Sequence, residues 1–194
     1  MWIEPVTLSG RSVRLEPLGL AHAADLALAG QDESIWTYMR YGLVNTEEKM
    51  AVFIQDLLNL QARGTDLPFA VILSASGRAI GMTRYLNVEP ANRALEIGGT
   101  WYGRDYRRTG VNTECKFLLL QHAFETLGCL RVQLKADLRN ERSLRAIERL
   151  GAVREGVLRD HMVLPDGYVR SSVIFSILAR EWPDVKTRLT GLMQ

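Results

Sequence analysis

The chain has 194 residues, 47% hydrophobic and 24% charged, the balance of a globular protein able to bury a full core. Lysine and arginine total 24 against 22 acidic residues, and a net charge of +2 gives no electrostatic case for a nucleic-acid partner. Cys115 and Cys129 stand outside any CxxC spacing, and His22, His122 and His161 share no ligand pattern with them, so neither a disulfide framework nor a metal site is expected. The opening Met1-Trp2-Ile3-Glu4-Pro5 lacks the basic stretch and apolar run of a signal peptide, and Phe117-Leu118-Leu119-Leu120 is far short of a membrane span. The expectation is a soluble, cytoplasmic chain with no membrane partner; a homodimer is left open.

No repeat, low-complexity tract or linker-like stretch interrupts the chain, which predicts one domain over 1–194, with a core at about 11–178 and a helical tail at 179–194. Residues 13–16 alternate as a first strand. The Ala/Leu-rich stretch 20–29 reads as a helix, and a second opens at Thr46-Glu47-Glu48-Lys49, carries Met50, Phe53, Ile54 and Leu57 at helical spacing, and closes at Gly64. Residues 69–73 and 79–86 form a hairpin around Ser76-Gly77. Then follow a strand at 96–102, a long helix at 113–127, a cleanly alternating strand at 131–137, and a helix at 141–150 ended by Gly151. Strands at about 156–163 and 168–178 flank the turn Asp166-Gly167. This order predicts an α/β (α+β) fold: one mixed, mostly antiparallel sheet of about seven strands with helices on both faces. The crossover through the long helix places strands 96–102 and 131–137 parallel and adjacent.

Chemistry is expected at that pair. Between its first strand and the long helix lies Arg107-Arg108-Thr109-Gly110-Val111-Asn112-Thr113. A turn entering a helix offers backbone N–H groups with no intrahelical partner at the positive end of the helix dipole, a site suited to a pyrophosphate. Gly110 permits close approach, Asn112 or Thr113 is the expected cap, and Arg107 and Arg108 add charge. A solvated basic loop before a capped helix explains the same residues. Gly98-Gly99 inside a strand is costly unless a bulge or a close approach requires it, and a bulge would splay the parallel pair.

The segment resembles the acetyl-CoA signature of the GCN5-related N-acetyltransferase family, Arg/Gln-x-x-Gly-x-Gly/Ala, with Arg107 and Gly110 on the pattern and Asn112 departing from it. The likeness runs from about Arg11 to Leu178. It implies that the pantetheine arm of acetyl-CoA enters the splay along the backbone at Trp101 and Tyr102. It also implies that Arg107, Arg108, Thr109, Gly110, Val111, Asn112 and Thr113 receive the phosphates. Asn140-Glu141-Arg142-Ser143, followed by a helix and Leu150-Gly151-Ala152, is similar to the family segment whose Asn bonds pantetheine, and closest to the branch that acetylates ribosomal-protein N-termini. Many members carry a general-acid Tyr seven residues after that Asn; here Ile147 stands there, and Ser143 is the nearest substitute. Glu96 precedes Gly110 by the interval of the base glutamate in the histone-acetylating members.

The resemblance implies acetyl transfer to a primary amine, a peptide N-terminus or a small molecule, by direct attack, with Glu96 and Ser143 moving protons. A longer acyl-CoA, or a CoA-binding regulatory module without turnover, are the alternatives. Trp36, Tyr38, Tyr41 and Phe53 are candidates to line the acceptor side and serve equally as core; Asp160-His161 is a candidate at its edge.

Overall fold

The computed structural model describes residues 3–193, so the Met1-Trp2 part of the predicted leaderless start and the final Gln194 of the predicted tail lie outside it. Eight strands form one sheet: β1 (Leu8–Ser9), β2 (Val13–Pro17), β3 (Leu67–Leu73), β4 (Ala79–Glu89), β5 (Ala94–Tyr102), β6 (Arg131–Asp137), β7 (Val153–Val163) and β8 (Val169–Leu178). Their spatial order is β1-β2-β3-β4-β5-β6-β8-β7, and only β5–β6 is parallel. The expected sheet is thus present with one more strand, the two-residue β1, which is too short to alternate.

Among the described residues five α-helices cover it: α1 (Ala23–Ala29), α2 (Glu47–Ala62), α3 (Val111–Gln121), α4 (Glu141–Leu150) and α5 (Trp182–Leu192). Side chains alternate across each strand, so the sheet has two buried faces. On one, Leu15, Phe69, Tyr85, Leu95, Ile97, Val132, Leu134 and Phe175 pack with α3, α4 and α5. On the other, Ala70, Ile72, Met82 and Trp101 pack with Leu26 of α1 and Met50, Ile54 and Leu57 of α2.

Two helix ends differ from expectation. The helix predicted over 20–29 starts as a 3₁₀ turn at Leu20–His22 before α1. The helix predicted over 113–127 begins at Val111 and ends in a π-helical turn, His122–Thr126. Nor does Asn112 or Thr113 cap α3: the cap position is Gly110, with no side-chain bond. Asn112 Oδ1 instead accepts from Tyr102 Oη at 3.3 Å, and Thr113 Oγ1 from Arg149 Nη2 at 3.3 Å. α3 is anchored by Glu114, whose carboxylate accepts the backbone N–H groups of Arg11 and Ser12 before β2.

The C-terminal helix is built into the core. Trp182 stacks on Phe124 with centroids 5.5 Å apart, its Nε1 donates to Glu125 at 2.8 Å, and Val185 and Leu189 are buried beside it. Trp182→Ala is expected to cost about 3–5 kcal/mol, the range for deleting a buried aromatic, read as a fall in the urea midpoint; an unchanged midpoint would make α5 an appendage.

Candidate active site

β5 and β6 pair at only three positions, Ala94↔Arg131, Leu95↔Val132 and Glu96↔Gln133. Beyond Glu96 the strands part, although β6 stays paired with β8 to Asp137 and β5 with β4 to Tyr102. The cause is a bulge. Met82 faces Trp101 and Arg84 faces Gly98, so two steps along β4 meet three along β5. The extra residue bends β5 away from its parallel neighbour. Gly99 sits there at φ +57°, and a Cβ on it would lie 2.9 Å from Arg84 Nε, so conformation and space both demand glycine.

The gap opens into a cleft of about 570 Å³. Its walls include Glu96, Trp101, Tyr102, Arg107, Arg108, Thr109, Asn112, Asn140 and Ser143. Gly110, Val111 and Thr113 do not line it: Val111 and Thr113 are buried behind the α3 entry, and Gly110 is exposed at the turn. Gly110 has ordinary helical angles (φ −66°), and a Cβ there would meet nothing within 4 Å. What glycine keeps at this position is open space. Thr109 Oγ1 takes the N–H of Val111 at 3.3 Å, leaving those of Asn112 and Thr113 without a partner among the described residues.

Arg107 does not face that turn. Its Nε donates to the Tyr102 carbonyl at 3.2 Å, its Nη1 to Ser34 Oγ at 3.0 Å, and Asp32 lies 3.1 Å away, so it braces the loop. Arg107, expected with Arg108 to add charge at the turn, still lines the cleft but has Asp32 as its ion-pair partner. The charge comes from Arg108 and from Arg142, Arg145 and Arg149 on α4, which the sequence reading passed over. Their i, i+3, i+7 spacing puts them on one helical face and was a readable signal. Trp101 contributes backbone rather than ring, since its indole packs on Trp36 at 5.2 Å.

Glu96 is buried, its Oε2 accepting from Asn87 Nδ2 (3.0 Å), Gln133 Nε2 (3.1 Å) and Lys135 Nζ (3.2 Å). Glu96 is thus no solvated strand carboxylate, and its ion-pair partner is Lys135. Oε1 carries no hydrogen bond among the described residues. Asn140 caps α4, its Oδ1 accepting from Ser143 N at 3.1 Å, which leaves the amide nitrogen and the Ser143 hydroxyl for other partners. Of the acceptor-side candidates Tyr38 lines the cleft, while Trp36 and Phe53 are core. Asp160 and His161 lie outside the lining, with His161 Nδ1 3.0 Å from Ser172 Oγ. His122 is packed against Tyr85. Cys115 and Cys129 are free and buried, burial raising both thiols to about 12. Among the described residues no cluster of His, Cys, Asp and Glu is placed to hold a metal ion, and no helix is long and apolar enough to cross a membrane.

Lys116 was not foreseen, because a lysine in a helix usually marks its wet face. Here it is buried on α3 and lines the cleft, Nζ donating to Thr100 Oγ1 at 2.6 Å and Thr83 Oγ1 at 3.4 Å, with no carboxylate as ion-pair partner among the described residues. Burial lowers its pKa from the ordinary 10.5 to about 8. Below pH 8 the amine is protonated in both folded and unfolded chains, and the burial cost is fully present. Between pH 8 and about 10.5 only the unfolded chain keeps the proton, so the cost drains away. Lys116→Met should stabilise the protein below pH 8, by at most roughly 3 kcal/mol, with the gain shrinking toward pH 10. Thermal melts of both proteins across that range test this; a pH-independent difference would refute it.

The match to known proteins agrees with this geometry. The acetyltransferase (GNAT) domain model matches residues 12–153, close to three quarters of the chain. Bacillus subtilis YdaF, provisionally named a ribosomal N-acetyltransferase, is 34% identical over 110 residues, 57% of this chain and 59% of that protein. The match therefore spans less than two thirds of YdaF. A solved GCN5-related N-acetyltransferase from Brucella melitensis is 32% identical with a TM-score of 0.93, covering 100% of this chain and 88% of that one. Mycobacterium smegmatis RimJ, solved in complex with CoA-disulfide, shares the fold at a TM-score of 0.82 and 22% identity, over 97% of this chain and 95% of that one. By the extent of the domain match, joined to the split parallel pair, the chain belongs to the GNAT family of acetyltransferases.

Proposed function

We propose that the chain, acting as one domain, transfers an acetyl group from acetyl-CoA to a primary amine, of a protein N-terminus or a small molecule, by direct attack. The observation that carries this reading is the gap between β5 and β6, with the N-terminus of α3 at its mouth. The residues fit the cosubstrate: Gly110 leaves space, the N–H groups of Asn112 and Thr113 are unpartnered, and Arg108, Arg142, Arg145 and Arg149 supply positive charge. Acetyl-CoA, when bound, supplies the thioester whose acyl carbon the amine attacks. The unpaired edge of β5 at Trp101 and Tyr102 holds the amide arm, as an added strand would be held. Asn140 donates its side-chain amide to the same arm. Glu96 Oε1 takes the proton of the attacking amine, and Ser143 Oγ returns one to the departing sulfur. The provisional name of YdaF favours a protein amine as acceptor.

CoA is expected to raise the melting temperature, since a ligand at a hundred times its Kd adds about 2.7 kcal/mol. Gly110→Val should remove that shift while leaving the unliganded melt nearly unchanged, because its helical angles and open surroundings admit a side chain. No shift with the native protein at millimolar CoA would sink the proposal, and binding without thiol release on any amine would leave a binding module.

Glu96→Gln should lower turnover by about a hundred- to ten-thousand-fold with CoA affinity nearly unchanged. A lysine amine has a pKa of about 10.4 and an α-amino group about 7.7–8.0, so the deficit should narrow as pH rises and more amine arrives neutral. Full activity of the variant across pH would assign the base to another group.

A further inference from the structure

The acceptor end of the cleft holds three buried or half-buried cations, Arg84, Lys135 and Arg170, and two carboxylates, Glu96 and Asp137. Lys135 pairs with Glu96 at 3.2 Å. Arg84 has Asp66 as an ion-pair partner 3.0 Å from Nη1 and donates through Nη2 to Tyr41, although neither its Nε nor its Nη1 makes a hydrogen bond. Asp137 is gripped through both oxygens by Arg139, Nε to Oδ1 at 3.2 Å and Nη2 to Oδ2 at 3.1 Å. Arg170 is left over. It is 8% exposed, its Nη1 donates to the Tyr38 carbonyl at 3.1 Å, and its Nε has no acceptor, with Asp137 Oδ2 3.9 Å away. Burial pushes this guanidinium's pKa down, while Asp137 and Glu96 pull it back up.

A buried cation without a full partner is costly, and a planar guanidinium offers donors matched to a carboxylate. We infer that the acceptor amine also bears a carboxylate, which Arg170 receives while the amine sits at Glu96. This inference rests on the acetyl-transfer reading and narrows its acceptor. A basic peptide end or a polyamine would bring further positive charge to a site that already has one cation in excess. A free amino acid and a peptide N-terminus followed by an acidic residue share the required chemistry.

The test measures acetyl-CoA-dependent thiol release and acetylated product with matched acceptors. These are β-alanine against β-alaninamide, and tetrapeptides differing only in Glu, Gln or Lys at the second position. The carboxylate member should lead by about tenfold or more in kcat/KM, mostly through KM, as a charge-assisted hydrogen bond implies. The free or the peptide series leading identifies the source of the carboxylate. Arg170→Gln should bring that ratio close to one, and Arg170→Lys should retain part of it. A CoA-induced melting shift in each variant reports an intact fold; should the Gln variant lack it, the ratio in the Lys variant decides, and a native ratio there overturns the assignment. Amide or lysine acceptors serving native enzyme as well as carboxylates would overturn the acceptor assignment and leave acetyl transfer standing. Absence of thiol release with every acceptor would bring down both.

Discussion

The functional geometry depends on one extra residue in β5. A parallel pair that continued past Glu96 would satisfy its backbone groups along the whole ladder and leave no gap in the sheet. The bulge opposite Met82 and Arg84 stops the ladder after three positions, and the two strands then follow different partners, β4 on one side and β8 on the other. β5 keeps β4 as its partner and β6 keeps β8. Inside the sheet this leaves two facing strand edges unpaired past Glu96, and the opening joins the helical layer of α3 and α4 to the layer beyond, where Glu96 and Arg170 lie.

That arrangement explains the distribution of charge. On the α4 side the arginines are exposed or half-buried, as suits groups that meet a polyanion from solvent. On the other side the carboxylates are deep and each has a cationic partner, Glu96 the half-buried Lys135 and Asp137 the exposed Arg139. Buried charges persist only when paired or hydrogen-bonded, so each departure from matching carries information. Among the described residues Lys116 has no carboxylate partner and Arg170 has its nearest carboxylate oxygen 3.9 Å away; they lie on α3 and β8, elements otherwise devoted to packing.

Most of the fold was legible in the sequence because periodicity survives where one face is buried. Val132, Leu134 and Ala136 alternate with Arg131, Gln133 and Lys135, and that pattern alone marks β6. Gly98-Gly99 flagged the bulge for a physical reason, since glycine is poor in a strand without one. The entry to α3 was legible as a turn, but its cap was not, because Tyr102 and Arg149 claim Asn112 and Thr113 from elsewhere in the chain. Arg107 misled for the same reason: an arginine beside a phosphate-type turn looks free until Asp32 and Ser34, some seventy positions earlier, fold against it. Long-range partners of polar side chains are what a linear reading omits.

The strand order β6-β8-β7 has a consequence for biosynthesis. β8 is inserted between two strands made before it, so the outer edge of β6 stays bare until residues 169–178 have left the ribosome. α5, which packs beside α3 on the same face of the sheet, arrives later still. One wall of the cleft and the support behind the helix at its mouth are thus made after the other strands of the sheet. A nascent chain must shield that open strand edge from the emergence of β6 until that of β8, and cosubstrate can lend it no full cleft before β8 is in place.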